Sequence, residues 1–291
     1  MGPMSTSTAR LLSPIWLVLI GILSVQFGAG IAKSLFDEVA PTTIVWLRLT
    51  ASVVVLAAVT RPRLRGRSRA DWLVVVGFGL SLGVMNWAIY QSFQRIPLGI
   101  AVTIEFVGPL TLAVLGSRRL RDLAWVGLAA VGVVLLGFDG GDVTLAGALF
   151  ALLAGAAWAS YILLSAQTGA RWEGFDGLVV ASLVAALMFT PYAATAGRGD
   201  LAQTHVLLLG CAVGLLSSVV PYSCELVALR SLKPAVFGIL MSLEPAAAAL
   251  AGIVVLGELL GPLQWLAMAC VVLASVGATR TAPPLPAPVP D

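Results

Sequence analysis

Apolar residues in this chain come in ten runs of about twenty, and that repetition decides what the chain can fold into. The runs lie near 14–34, 41–60, 72–93, 98–117, 122–138, 145–166, 176–196, 205–227, 235–256 and 261–279. A helix of about 20 residues crosses a hydrocarbon core of about 30 Å. The connections are short and leave no room for a soluble domain. With 59% hydrophobic and 11% charged residues, the 291-residue chain carries more apolar surface than a soluble globule buries. The expected fold is therefore an all-α polytopic membrane protein with ten transmembrane helices.

Within these runs a glutamate appears twice in nearly the same setting. Gly99-Ile100-Ala101-Val102-Thr103-Ile104-Glu105 is answered 139 positions later by Gly238-Ile239-Leu240-Met241-Ser242-Leu243-Glu244. A carboxylate at bilayer depth costs about 2.5–3.5 kcal/mol even on lenient scales. Trp125 answers Trp265, and Gly28-Ala29 answers Gly155-Ala156. These matches divide the chain into a first five-helix repeat, 14–138, and a second, 145–279, flanked by an N-terminal tail, 1–13, and a tail at 280–291. Five prolines make the latter a disordered tail. An odd number of spans per repeat inverts the second half relative to the first, an arrangement that puts substrate sites near the midplane.

Lys and Arg give the orientation. Thirteen fall on one side of the spans, among them Arg61, Arg63, Arg65, Arg67 and Arg69; three, Lys33, Arg95 and Arg198, fall on the other. Both termini are therefore expected in the cytoplasm. The five-arginine loop reads as a topology anchor touching membrane lipid rather than as a nucleic-acid site. Arg10 precedes a first apolar run too long for a cleaved signal peptide, so that run is expected to be retained.

Polar residues in the spans share faces. Asn86, Tyr90 and Gln94 recur every four residues; Ser218, Pro221, Tyr222 and Glu225 occupy one face; so do Gln26, Gly30 and Lys33, and Trp158, Tyr161 and Ser165. The polar faces belong to spans one, three, four, six, eight and nine, the set expected around a central cavity. Pro109, Pro221 and Pro245 cannot donate to the carbonyls of Glu105, Ser217 and Met241, so helix kinks are expected beside that cavity. Arg48, inside span two, needs a partner, for which a carboxylate is the expectation. Lys33 lies near a span end, within reach of the interface, and Glu258 reads as interfacial. His205, at a span edge, has no expected catalytic role. Cys211, Cys224 and Cys270 lie within apolar runs and read as packing residues. No Ser-His-Asp set, metal-ligand cluster or phosphate loop is present in the sequence, so neither enzyme activity, metal nor cofactor is expected.

Ser81-Leu82-Gly83-Val84-Met85-Asn86, Pro97 through Val102, and Glu105-Phe106-Val107-Gly108-Pro109-Leu110 resemble the EamA branch of the drug/metabolite transporter superfamily. More narrowly they resemble its bacterial threonine/homoserine exporters. Ala32 through Phe36, Pro221-Tyr222-Ser223 with Glu225, and Met241-Ser242 with Glu244-Pro245-Ala246 extend the likeness over nearly the whole chain. The Arg-rich loop and the proline tail depart from it. The resemblance implies ten helices in two inverted repeats in the bacterial inner membrane, and secondary export of small amino acids by alternating access. Aromatic amino acids, nucleobases and cationic drugs stay open as other solutes. The substrate-binding candidates are Gln26, Lys33, Asn86, Tyr90, Glu105, Trp158, Tyr161, Tyr222, Glu225 and Glu244. A partly desolvated carboxylate takes up either a proton or an ammonium, which leaves room for proton antiport. A monomer suffices, because the cavity lies within one chain.

Overall fold

The computed structural model describes residues 13–115, 123–137, 143–229, 232 and 234–281. Every regular element among them is helical. In chain order these are α1 (Pro14–Ser34), α2 (Pro41–Thr60), α3 (Arg69–Phe93), α4 (Leu98–Glu105), α5 (Val107–Leu115), α6 (Leu123–Gly137), α7 (Leu145–Gly169) and α8 (Asp176–Ala194). They continue with the short α9 (Arg198–Leu201), α10 (Thr204–Gly214), α11 (Val220–Leu229), α12 (Pro234–Met241), α13 (Glu244–Ala251) and α14 (Pro262–Thr281). Wide π-turns at Leu215–Val219 and Gly252–Leu256 link α10 to α11 and close α13.

Local chemistry sets the boundaries. Pro14 and Pro41 open α1 and α2, where a missing N–H costs nothing. Ser68 and Asp71 cap α3 reciprocally: the Ser68 hydroxyl accepts from Asp71 N at 3.2 Å, and the Asp71 carboxylate accepts from Ser68 N at 2.9 Å. That box starts α3 three residues before the expected apolar run. Thr144 caps α7 through Gly147 N at 3.1 Å. At the other end, α14 runs through Arg280 to Thr281 before the proline tail.

Eight helical runs are long and apolar enough to cross a membrane, and two more, Leu98–Leu112 and Leu123–Leu136, are apolar but shorter. These last two fall on the expected fourth and fifth spans. Large apolar side chains such as Val59, Leu73, Leu145 and Leu208 stand exposed on outer helix faces, as lipid contact requires. Most of the two expected tails, and Arg118, Arg119, Arg121, Arg230 and Lys233, lie outside the described residues.

Packing joins early helices to late ones. α3 lies along α7 and α8, α2 along α8 and α10, α1 along α11 and α13, α4 along α13, and α6 along α14. Small residues permit the close crossings. A Cβ on Gly79 would stand 2.6 Å from the Ala181 carbonyl oxygen of α8, and one on Gly214 would stand 2.7 Å from Ala51 Cβ of α2. Gly79 and Gly83, like Gly210 and Gly214, have the four-residue spacing by which membrane helices approach closely. Tyr90, Leu82, Ile44, Leu98, Ile100 and Ile104 form the centre of the packed core.

Candidate functional site

The proline in each of three spans leaves its mark on the helix a turn earlier. In span four, α4 stops at Glu105 and α5 restarts at Val107, with a turn at Phe106 between them. In span nine, α12 stops at Met241 and α13 starts at Glu244, with a turn at Ser242 and Leu243. Pro109 and Pro245 lie just past these breaks, where they cannot supply the N–H that a continuous helix needs. Glu105 is thus the last residue of one half-helix, and Glu244 the first of another. In span eight, Pro221 follows the π-turn at Leu215–Val219.

The freed carbonyls are accommodated differently. Arg48 Nη2 of α2 donates to Ser217 O at 2.8 Å, taking the place of the N–H that Pro221 lacks. The Glu105 carbonyl meets α7 at Gly155, where a Cβ would stand 2.5 Å from its oxygen. Gly108 returns the contact: a Cβ there would stand 1.9 Å from Gly155 O, so only hydrogens fit between the two backbones. Close Cα–H contacts of this kind recur at helix crossings.

These helices surround a cavity of about 160 Å³. Its wall includes Gln26 and Ala29 of α1, Arg48 of α2, Asn86, Ile89, Tyr90 and Phe93 of α3, and Glu105. Trp158 and Tyr161 of α7, Ser217, Pro221, Glu225, Met241 and Glu244 also line it. Glu105 and Glu244 are each 8% exposed, which makes them among the most deeply placed charges in the molecule. Glu244 lies close enough to feel the charge of both Glu105 and Glu225, and Arg48 acts on Glu105 through space. Three carboxylates share a small, mostly apolar space with one guanidinium.

Aromatic rings shape the walls. Trp158 meets Phe106 edge-on at 5.2 Å, and Tyr161 packs on Phe78 at 5.0 Å. Tyr90 is fully buried between Phe36 and Phe93. Asn86 anchors its amide nitrogen on Leu82 O at 2.8 Å.

Eight of the ten expected binding residues line this cavity. Lys33 does not. Its ammonium is ion-paired with Glu258 Oε1 at 2.5 Å and donates to Ile96 O at 2.7 Å, so it ties helix ends together instead of facing the solute space. Glu258, expected to be merely interfacial, is engaged twice: its other oxygen accepts from Leu98 N at 2.8 Å and caps α4. The side chain of Tyr222 lies outside the described residues. Arg48 makes no direct ion pair with the expected carboxylate, Glu105 acting on it only through space; among the described residues its hydrogen-bond partners are Ser217 O, Ser218 Oγ at 3.4 Å and Tyr90 Oη at 3.5 Å. Arg48 itself was missed as a wall residue, because its span carries no other polar stripe to draw attention to that face. His205 contacts Glu38 at 3.1 Å, away from the cavity wall. No cluster able to hold a metal occurs among the described residues.

Comparison with known proteins places this architecture. Residues 145–280 match the EamA-like transporter family. The threonine/homoserine exporter RhtA of Salmonella typhimurium is 43% identical over 282 residues, covering 96% of this chain and 95% of that protein. RhtA of Escherichia coli K12 is 42% identical over 275 residues, covering 92% and 93%. A crystal structure superposes with a TM-score of 0.64 at 18% identity, covering 92% of this chain and 97% of that one, so the overall fold has a solved counterpart. Kinship with exporters, rather than any missing motif, sets the enzyme reading aside: the chain belongs to the EamA-like transporter family.

Proposed function

We propose that this protein is a secondary exporter of small amino acids of the threonine and homoserine type, working by alternating access in the bacterial inner membrane. The observation that carries the reading is the convergence of Glu105, Glu225 and Glu244 on a small buried cavity, two of them at helix breaks. Broken helices at midplane depth are where secondary transporters hold their solutes. The volume of about 160 Å³ lies below the roughly 300–1,000 Å³ of drug-sized pockets, which favours a small solute. The solute ammonium faces the glutamates, and its other polar groups meet Asn86, Tyr90 and Gln26. Similarity to the two exporters over more than nine-tenths of the chain supports this solute class.

The working unit is a ten-helix monomer of two inverted repeats, 14–138 and 145–279, with both termini in the cytoplasm. The packing pattern supports the duplication. Exchanging the halves turns the α3–α7 contact into the α11–α1 contact and leaves α2–α8, α6–α14 and the pairing of the fourth span with the ninth matched with themselves. The paired glycines obey the same exchange, Gly79 and Gly83 on α8 answering Gly210 and Gly214 on α2. A proton competes with the substrate ammonium for the glutamates, which supports proton antiport.

Efflux of radiolabelled homoserine and threonine from proteoliposomes tests the proposal. Wild-type protein is expected to release both, and Glu105→Gln or Glu244→Gln to cut the rate at least about tenfold, the scale of one lost charge contact. Folded wild-type protein that releases neither amino acid overturns the reading.

A further inference from the structure

Arg48 is the cation in the cavity wall, and the reading above gives it no part in binding the solute. It is 8% exposed and lies well inside α2. A guanidinium offers five N–H donors in a planar fork. Here one bond is short, Nη2 to Ser217 O at 2.8 Å, while the contacts to Ser218 Oγ and Tyr90 Oη, at 3.4 and 3.5 Å, are long. The guanidinium is therefore under-bonded. Three glutamates share its cavity, yet no carboxylate stands within ion-pair distance of it among the described residues.

A buried guanidinium with no carboxylate within ion-pair distance among the described residues, and with most of its donors unused, is a place for a ligand's negative charge. The arginine fork matches a carboxylate in shape and in donor spacing. We propose that Arg48 binds the α-carboxylate of the transported solute while the glutamates take its ammonium, so that the cavity selects zwitterions over amines lacking a free carboxylate.

This deepens the proposed function and rests on it. Glutamates alone would attract any small cation. Arg48 adds the repulsive element that discrimination requires, because a bare amine bound beside it would leave two positive charges facing each other in a desolvated space. Satisfying the Ser217 carbonyl freed by Pro221 occupies a single N–H and gives no reason for selectivity between solutes, so the two roles are separable.

The test is competition against labelled threonine in proteoliposomes by unlabelled threonine and homoserine, and by their carboxylate-free analogues threoninol and homoserine lactone. Wild-type protein is expected to need at least tenfold more of each analogue for half-inhibition. Arg48→Lys retains a cation able to reach the carbonyl but loses the fork, and is expected to shrink that ratio by tenfold or more. The double variant Arg48→Gln with Pro221→Ala restores an N–H for Ser217 O, so the helix keeps its bond without the arginine; it is expected to lose the preference as well. Thermal stabilisation of each detergent-purified variant by threonine against threoninol gives the same comparison without transport. Wild type that carries amino acids yet does not favour them over the analogues overturns the role of Arg48, as do folded variants that keep the wild-type ratio. Folded wild type that carries no amino acid overturns the solute class as well.

Discussion

Lys33 and Glu258 meet at 2.5 Å, joining the end of α1 to the segment that follows α13. The same carboxylate caps α4 through Leu98 N, and the same ammonium holds Ile96 O, so three chain segments are tied at one end of the molecule. Both side chains are 17% exposed, which keeps solvent from screening the pair fully.

Lys33→Met and Glu258→Gln should therefore behave as a coupled pair. Each single change leaves a half-buried charge or cap unmatched, and the double variant should lose less than the sum. A double-mutant cycle of denaturant unfolding in detergent is expected to give a coupling of about 1 kcal/mol or more. Simple additivity would mean that the contact contributes nothing.

The crossing of Gly108 and Gly155 predicts a sharp steric effect. Gly108→Ala places a methyl group 1.9 Å from Gly155 O, and the helices must part to admit it. Overpacking of this kind costs about 1–3 kcal/mol or more. Gly127→Ala is the control: nothing lies within 4 Å of its added Cβ, and alanine in a helix gains about 0.5–1 kcal/mol over glycine. Melting curves in detergent should show Gly108→Ala falling and Gly127→Ala holding or rising.

Orientation is testable with single cysteines in a background lacking Cys211, Cys224 and Cys270. Arg65→Cys lies in the exposed Arg-rich loop, and Gly199→Cys in open space at the opposite end of the adjoining helices. A membrane-impermeant maleimide applied to intact cells should label position 199 and spare position 65. The reverse pattern would turn the whole topology over.

If one of the cavity glutamates carries the coupled proton, an acidic outer medium should speed wild-type efflux from vesicles of matched orientation. The Gln variant at that position should lose the response to the gradient, and the other two variants should keep it at reduced rate. Acceleration unchanged in Glu105→Gln, Glu225→Gln and Glu244→Gln alike would remove all three from proton exchange.

Much of the cavity was legible in the sequence, because each polar group there stands in an apolar run and its cost gives it away. Asn86 and Tyr90 on one face, the repeated glutamates and the three prolines all announced themselves in this way. What escaped depended on partners that no local pattern encodes. Lys33 looked like a member of the α1 polar face, and only the fold brings Glu258 to it. Arg48 was expected to seek a carboxylate, but its partner is a backbone carbonyl, which every residue has and which becomes available only because Pro221 is nearby. The Gly108–Gly155 contact was invisible for a different reason: it consists of the absence of side chains, and its meaning comes from a crossing that sequence spacing does not specify.

The breaks at Glu105 and Glu244 give these carboxylates a mechanical position as well as a chemical one. A side chain in mid-helix is carried along by a rigid rod, whereas one at a joint sits where two rods change direction. Charging or neutralising such a group acts where the chain is already freed from a continuous run of helical hydrogen bonds. A continuous helix bearing the same glutamate would offer the same charge without that joint.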